Sequence, residues 1–407
     1  MANLYDLNWI KNMTSEQTKP VILQILPRLE TGGVERGTLE IASALQKAGW
    51  TSVVVSGGGR LVRELERMGT EHITMPVYSK NYFTMRKNAK RLAEIIKEKK
   101  VDIVHARSRA PAWSAKWACE MTGVPLLTTF HGAYNIGPFK LKKKYNKVMT
   151  DGVLTIAVSN FIKQHILDNY ETVDPDKIRV VHRGADVERF DISKVSQERI
   201  VALAQKWRLP EDQPVIMLPG RLTRWKGQLV LLEALSKIEN RNLRCLFVGS
   251  DQGRKRYRRE LERKTKKLGL SSVVQIVDHC SEMDVAYMLS DIVISASTDP
   301  EAFGRVVPEA QAMGRIVIGP NHGGATETIR DGETGFLFEP GNADDLAEKL
   351  NTVLTMSAED KKRMAQKAVE SVRNEFSTAR MCAKTLDVYR EILEKYPASA
   401  RTNDGTV

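Results

Sequence analysis

The sequence predicts an α/β protein built on two parallel sheets, and three observations carry that prediction. Short runs that are apolar at every residue alternate with longer charged runs of helical character. The strand series stops and restarts near the middle of the chain. At 407 residues the chain is too long for one small core, so two domains are expected. Runs apolar throughout suit strands covered by helices on both faces, as in a parallel sheet. Their alternation with helices argues for right-handed βαβ units.

In the first half the strands are read at "VILQIL" from Val21, "SVVVS" from Ser52, "VDIVHA" from Val101, "PLLTTF" from Pro125, "VLTIAVS" from Val153 and "IRVVHRG" from Ile178. In the second half they are "VIMLPG" from Val215, "RCLFVG" from Arg244, "VVQIV" from Val273, "IVISAS" from Ile292, "RIVIGP" from Arg315 and "GFLFEP" from Gly335. Between the halves lies "ADVERFDISKVSQERIVALAQKWRLPEDQP", polar and ending just before Val215; it reads as a boundary followed by a fresh Rossmann-like sheet. The domains expected are residues 1–195, residues 196–376 and a C-terminal helix over 377–396, packed back on the first domain. That helix, "STARMCAKTLDVYREILEKY", has apolar residues at helical spacing. Residues after Pro397 are expected to fray.

Composition bounds the function. With 42% apolar and 28% charged residues the chain reads as soluble and globular. A net charge of +12 predicts attraction to something acidic: nucleic acid, anionic lipid or a phosphorylated substrate. The four cysteines, Cys119, Cys245, Cys280 and Cys382, show no metal or disulfide spacing, which points to a reducing compartment. The first residues lack the apolar stretch of a signal peptide, and no run is long enough to span a bilayer. A cytoplasmic protein is expected.

Ligands of such sheets bind at the carboxyl ends of the strands, and the loops there hold the notable residues. After the first strand, Gly32 and Gly33 precede a helix, letting backbone and free N–H groups approach a ligand. The same pair also suits a plain tight turn, and no G-x-G-x-x-G fingerprint or ribose-holding acid accompanies it. His131 follows a strand directly in "TTFHG", either as a structural residue or as a site residue. In "LPGRLTRWKGQ", Arg221 and Lys226 flank a turn, a pairing that suits a diphosphate: Arg binds it bidentate, Lys as a point charge. "EAFGRVVPE" sets Glu301 on a loop and Glu309 beyond Pro308, in the first turn of a helix where its charge is favoured. A carboxylate at a helix start accepts ribose hydroxyls well; one on a loop beside Gly304 reaches sugar hydroxyls. In "NHGGATE" Gly323 and Gly324 again allow close backbone approach, with Glu327 beyond.

These pieces together resemble a known family. "GRLTRWKG", the E-x7-E stretch "EAFGRVVPE", the glycine pair at Gly323, the early "TGGVER" and the "FHG" at His131 are similar to the retaining GT-B glycosyltransferases of family four, with their C-terminal "glycosyl transferases group 1" domain. Thr326 stands where that family commonly has proline. The resemblance implies a GT-B fold, two Rossmann-like β/α/β domains facing each other across a cleft, the first taking the acceptor and the second the donor. It implies that Arg221 and Lys226 bind the donor diphosphate, that Glu309 holds the ribose, and that Glu301 contacts the sugar with the backbone at Phe303 and Gly304 assisting. His131 would sit near the reacting centre. Gly32 and Gly33 would meet phosphates or acceptor, and Gly323 and Gly324 would line the donor. No metal and no cofactor is expected beyond a UDP- or GDP-hexose donor used as substrate. The implied role is in lipopolysaccharide or polysaccharide assembly of the cell envelope.

Three stretches are strongly basic: Tyr78 to Leu92, Gly137 to Lys147 and Gly253 to Lys267. The third has acids that can pair locally and reads as a solvated helix face. The first two mix cations with Tyr, Phe and Leu, which suits peripheral contact with an anionic membrane. A glycan or lipid-linked acceptor at the inner face of the cytoplasmic membrane is therefore expected. A nucleic-acid-binding protein would also be basic, but no recognition motif appears. A nucleotide-sugar epimerase of the same fold would consume donor without acceptor. A glycoside hydrolase would need acids roughly 5–10 Å apart and would have no use for Arg221 and Lys226.

Overall fold

The computed structural model describes residues 19–134, 137 and 141–397. The N-terminal stretch before Lys19, Pro138 to Lys140 of the second basic run, and the tail after Pro397 lie outside the described residues. Two parallel sheets form. The first contains β1 (Val21–Ile25), β2 (Thr51–Ser56), β3 (Glu71–Thr74), β4 (Ile103–Ala106), β5 (Leu126–Phe130), β6 (Leu154–Ala157) and β7 (Ile178–Val180), in the order β3-β2-β1-β4-β5-β6-β7. The second contains β8 (Val215–Pro219), β9 (Arg244–Val248), β10 (Val274–Val277), β11 (Ile292–Ile294), β12 (Ile316–Pro320) and β13 (Phe336–Phe338), in the order β10-β9-β8-β11-β12-β13. Pairings such as β1 with β2 and β4, and β8 with β9 and β11, are parallel.

The second sheet explains why its strands read as unbroken apolar runs. Ile216 and Leu218 of β8 face one core, and Val215 and Met217 face another. The same alternation divides Cys245 and Phe247 from Leu246 and Val248 on β9, and Ile316 and Ile318 from Val317 on β12. Side chains of a strand point alternately to its two faces, so a sheet covered on both sides needs apolar residues at every position. Twelve of the thirteen strands coincide with the runs read from sequence. The exception is β3, "EHIT", an edge strand that is exposed at both ends and only half-buried between, which leaves no apolar run to read.

The chain divides into two compact units: Met1–Thr129 with Ile136–Thr155 and Thr385–Val407, and Phe130–Asn135 with Ile156–Lys384. The polar stretch before Val215 contains a helix, Gln197–Trp207, started by the Ser196 hydroxyl accepting from the Arg199 N–H. Its Leu203 and Trp207 are buried in the second unit's core. The C-terminal helix spans Thr378–Lys395. Its Tyr389 is fully buried, 2.7 Å from His105 Nδ1 on β4 and edge-on to that ring. Among the described residues no helix is long and apolar enough to cross a membrane.

Candidate active site

In an open α/β sheet the ligand crevice opens where the strand order reverses, outside the carboxyl ends. In the second sheet the reversal falls between β8 and β11, which makes the loops after these strands the candidate site, and the two loops are fastened together. Gly227 ends a short 3-10 turn, Arg224–Lys226, and begins the helix Gln228–Lys237 with φ +72°. Its α-carbon packs so closely on Ala296, just past β11, that a Cβ would overlap the Ala296 carbonyl oxygen. One turn of backbone away, the Thr298 N–H donates to the Trp225 carbonyl at 2.8 Å.

This fastening sets Lys226 against Glu301. The ammonium lies 2.7 Å from Glu301 Oε1, and the Ser297 hydroxyl donates to the same oxygen at 2.5 Å. The two side chains are only 12% and 20% exposed, so the pair is far less screened than a surface ion pair. Lys226 also lies over the Trp225 ring, 4.6 Å from its centroid. An ammonium has three donors; with one used on Glu301, the others remain for a ligand. Arg221 is exposed, and its carbonyl accepts from Gln228 Nε2 at 3.0 Å, which holds the loop.

The loop Glu301–Gly304 is supported from below. The Gly324 N–H donates to the Glu301 carbonyl at 2.9 Å. A Cβ at Gly323, whose φ is +60°, would stand 2.6 Å from that same carbonyl oxygen, and one at Gly324 would overlap Phe303. The glycine pair thus serves close packing of backbone on backbone at this loop. The Ser159 hydroxyl donates to the Ala302 carbonyl at 2.6 Å, and Phe303 is buried against His182 and Phe376. His322 Nε2 donates to the Ser297 carbonyl at 2.9 Å.

Glu309 stands in the first turn of the helix Val306–Ala312, as its spacing from Pro308 predicts. The Tyr287 hydroxyl donates to Oε2 at 3.2 Å, and Arg305 Nε lies 3.3 Å from Oε1. Burial, then the Glu309 charge, hold the Tyr287 phenol well above its ordinary pKa, so it stays a donor. A carboxylate offers about four acceptor positions, and Tyr287 and Arg305 are among the groups that hold this one in place. Glu327 is turned elsewhere. It accepts from the backbone N–H groups of Asn160 and Phe161 and from His182 Nε2, which caps the helix Asn160–Asn169. Burial pushes its pKa up, but these donors together outweigh that and leave it lowered.

The structure therefore gathers Lys226, Glu301, Phe303, Gly304, Gly323 and Gly324 around one loop, with Arg221 and Glu309 on its neighbouring elements. His131 has a different partner: a guanidinium N–H of the buried Arg183 donates to its Nδ1 at 3.2 Å. Since Arg cannot accept, that contact requires an unprotonated Nδ1 and places the neutral ring's proton on Nε2. Gly32 and Gly33 lie in the first unit, where Gly32 caps the helix Gly33–Lys47 with no side-chain cap bond. Sequence reasoning missed Ser297, Ser159, Arg183 and Tyr287. Ser297 had a signal, standing in the loop that directly follows an apolar strand; Tyr287 and Arg183 sit in stretches with no motif.

Comparison with known proteins agrees with this fold. The family model "Glycosyltransferase Family 4" matches residues 31–189, and "Glycosyl transferases group 1" matches residues 201–371. A glycosyltransferase from Rickettsia africae ESF-5 is 45% identical, with a TM-score of 0.87 over 93% of this chain and 100% of that one. Anabaena Alr3699/HepE, solved with UDP-glucose, is 21% identical with a TM-score of 0.78, over 91% of this chain and 99% of that one, a likeness of fold. The D-inositol 3-phosphate glycosyltransferase of Corynebacterium glutamicum is 30% identical over 263 residues, 63% of this chain and 62% of that protein's length. With two parallel-sheet domains, both family models and a near-full-length relative in agreement, this chain belongs to the GT-B glycosyltransferases, family four, group 1.

Proposed function

We propose that this protein moves a hexose from a UDP- or GDP-linked donor to a glycan or lipid-linked acceptor, with retention of configuration and without a metal ion. The observation that carries the reading is the Lys226–Glu301 pair at the strand-order reversal of the second sheet. A cation fit for phosphate and an anion fit for sugar hydroxyls stand side by side there. As the glycosidic bond breaks, negative charge grows on the leaving diphosphate. Lys226 and Arg221 meet that charge, and donors placed in advance act on the transition state. Glu309 takes the ribose hydroxyls and Glu301 the sugar, with backbone N–H groups around Phe303 and Gly304 assisting. His131, carrying its proton on Nε2, donates toward the sugar. The acceptor hydroxyl attacks from the face the diphosphate leaves, and the departing phosphate oxygen takes its proton.

A membrane-side acceptor of the cell envelope is supported by the first unit's surface. On the helix Tyr82–Glu98, Tyr82 is 58% and Phe83 79% exposed, and Arg86 lies over the Trp117 ring at 4.8 Å. Exposed aromatics beside cations suit an anionic interface.

Thermal-shift measurement against UDP-, GDP- and ADP-sugars tests the reading, because a ligand of the native state raises its stability, by about 2.7 kcal/mol at a hundredfold excess over Kd. One nucleotide series should raise the Tm, and K226A should lose the shift. No shift with any sugar nucleotide would sink the proposal. Donor turnover in the absence of any acceptor would replace it with the epimerase reading.

A further inference from the structure

The helix Lys255–Lys267 of the second unit carries a surface that donor chemistry does not use. Tyr257, Leu261 and Thr265 are its buried line. At 3.6 residues per turn, the roughly 120° arc opposite them holds Lys255, Arg256, Arg259, Arg263, Lys266 and Lys267, and nothing else. All six are exposed, and among the described residues none has a carboxylate partner. The helix's acids lie on its flanks and are taken by other cations. Glu260 binds Arg224 in a two-pronged pair, and Glu262 binds Arg258, which also holds Asp278.

An ordinary solvated helix does not look like this. Arg259 and Arg263, Arg263 and Lys267, and Lys255 and Arg259 are like charges four residues apart, an arrangement that destabilises a helix. The first turn contains no acid and two cations, Lys255 and Arg256, at the end where the dipole disfavours them. Lys266 and Lys267 are favoured by the dipole in the last turn, but the like-charge spacing and the cationic first turn still work against the helix, and an anionic partner would relieve both of these penalties.

We infer that this face docks the second unit on a bilayer bearing anionic phospholipid headgroups. The outward arc runs about 15 Å from Arg256 to Lys266 at 1.5 Å per residue, and its six side chains include no aromatic or apolar residue. It lacks the stacking platforms that single-stranded nucleic acid requires, and nothing on it would insert, so contact is electrostatic and with headgroups alone. The inference shares with the proposed function a membrane-side acceptor, but rests on a different unit and does not involve the donor site.

Flotation of the full chain with vesicles tests it. The wild type should float with phosphatidylcholine vesicles containing phosphatidylglycerol at low salt, stay down with pure phosphatidylcholine, and be released by salt. R256Q/R259Q/R263Q should bind the anionic vesicles at least about tenfold more weakly. Its Tm should be unchanged or raised, and its donor-induced thermal shift kept. Phe83→Ser, on the first unit, should keep the salt-sensitive component. Flotation of the triple variant equal to wild type, binding to neutral vesicles as tight as to anionic ones, a lowered Tm in the triple variant, or displacement by duplex DNA at equal phosphate concentration would each overturn the inference. Absence of any sugar-nucleotide shift in the wild type would sink the transferase reading and leave this one standing.

Discussion

The two sheets reverse their strand order in the same way, at β1/β4 and at β8/β11, yet they are built on opposite plans. In the second sheet β8 and β11 are apolar throughout, and the polar groups stand in the loops beyond them. In the first sheet the equivalent strands bury polar side chains beneath those loops. Gln24 of β1 is fully buried and accepts from the buried Arg107 at 3.0 Å while donating to the Thr38 carbonyl. His105 of β4 is fully buried between the Tyr389 hydroxyl and the Thr129 hydroxyl, at 2.7 and 2.6 Å. The second sheet thus keeps its charges where a ligand can meet them. The first uses its polar groups to hold its interior and to fix Tyr389 of the C-terminal helix. The lesson is that one topology can place its hydrogen-bonding groups either as site or as scaffold, and the two respond to different perturbations.

The sharpest way to break the second plan is Gly227→Ala. A Cβ there overlaps the Ala296 carbonyl and must also adopt φ +72°, so the fastening of the two loops fails. Destabilisation of roughly 4 kcal/mol or more is expected, read as a fall in denaturation midpoint; a midpoint within error of wild type would mean the loops are not locked. Next comes Lys226→Ala. It should lower turnover by about 2.7–4 kcal/mol, a hundred- to a thousandfold, with a lowered Tm as well, because the half-buried Glu301 keeps the Ser297 hydroxyl but loses its counter-charge. Wild-type turnover would remove the cation from the mechanism.

The first plan is tested by pH. Burial, and secondarily the Arg107 charge, hold the His105 pKa well below its ordinary 6.5. The folded ring therefore stays neutral where the unfolded one takes up a proton, and stability present above pH 6.5 is lost as pH falls below it. Between pH 7 and pH 5.5 this group should account for about 1 kcal/mol of lost stability. Denaturant titrations of wild type and His105→Gln at both pH values check it, the variant showing the shallower loss; His72 and His165, also lowered by burial, contribute equally to both proteins. The smallest effect is Ser297→Ala, which removes one of the two donors to Glu301 and should weaken donor binding by about 1 kcal/mol, seen in KM with kcat nearly kept. An unchanged KM would mean Lys226 alone orients the carboxylate.

How far the chain could be read in advance follows from the same contrast. Strands covered on both faces announce themselves, which is why "VIMLP" and "IVIGP" were legible and the edge strand at Glu71–Thr74 was not. Lys226, Glu301 and Glu309 were legible as candidates because their residue types follow strands or open a helix. The contacts they make were not. Nothing local tells that Lys226 pairs with a residue 75 positions away, or that Gly323 and Gly324 serve the backbone of Glu301 and Phe303.

The sequence by itself determined the two-sheet architecture, the order of its elements and the chemical types available at the strand ends, because hydrophobic period and helix-start chemistry are local properties. Only the tertiary structure decided which of those groups meet, that Lys226 faces Glu301 while Glu327 turns away to cap a helix, and that six cations share one outward arc. Such meetings depend on how strands far apart in the chain order themselves and on how closely one loop's backbone can approach another, and neither is written in any short stretch of residues.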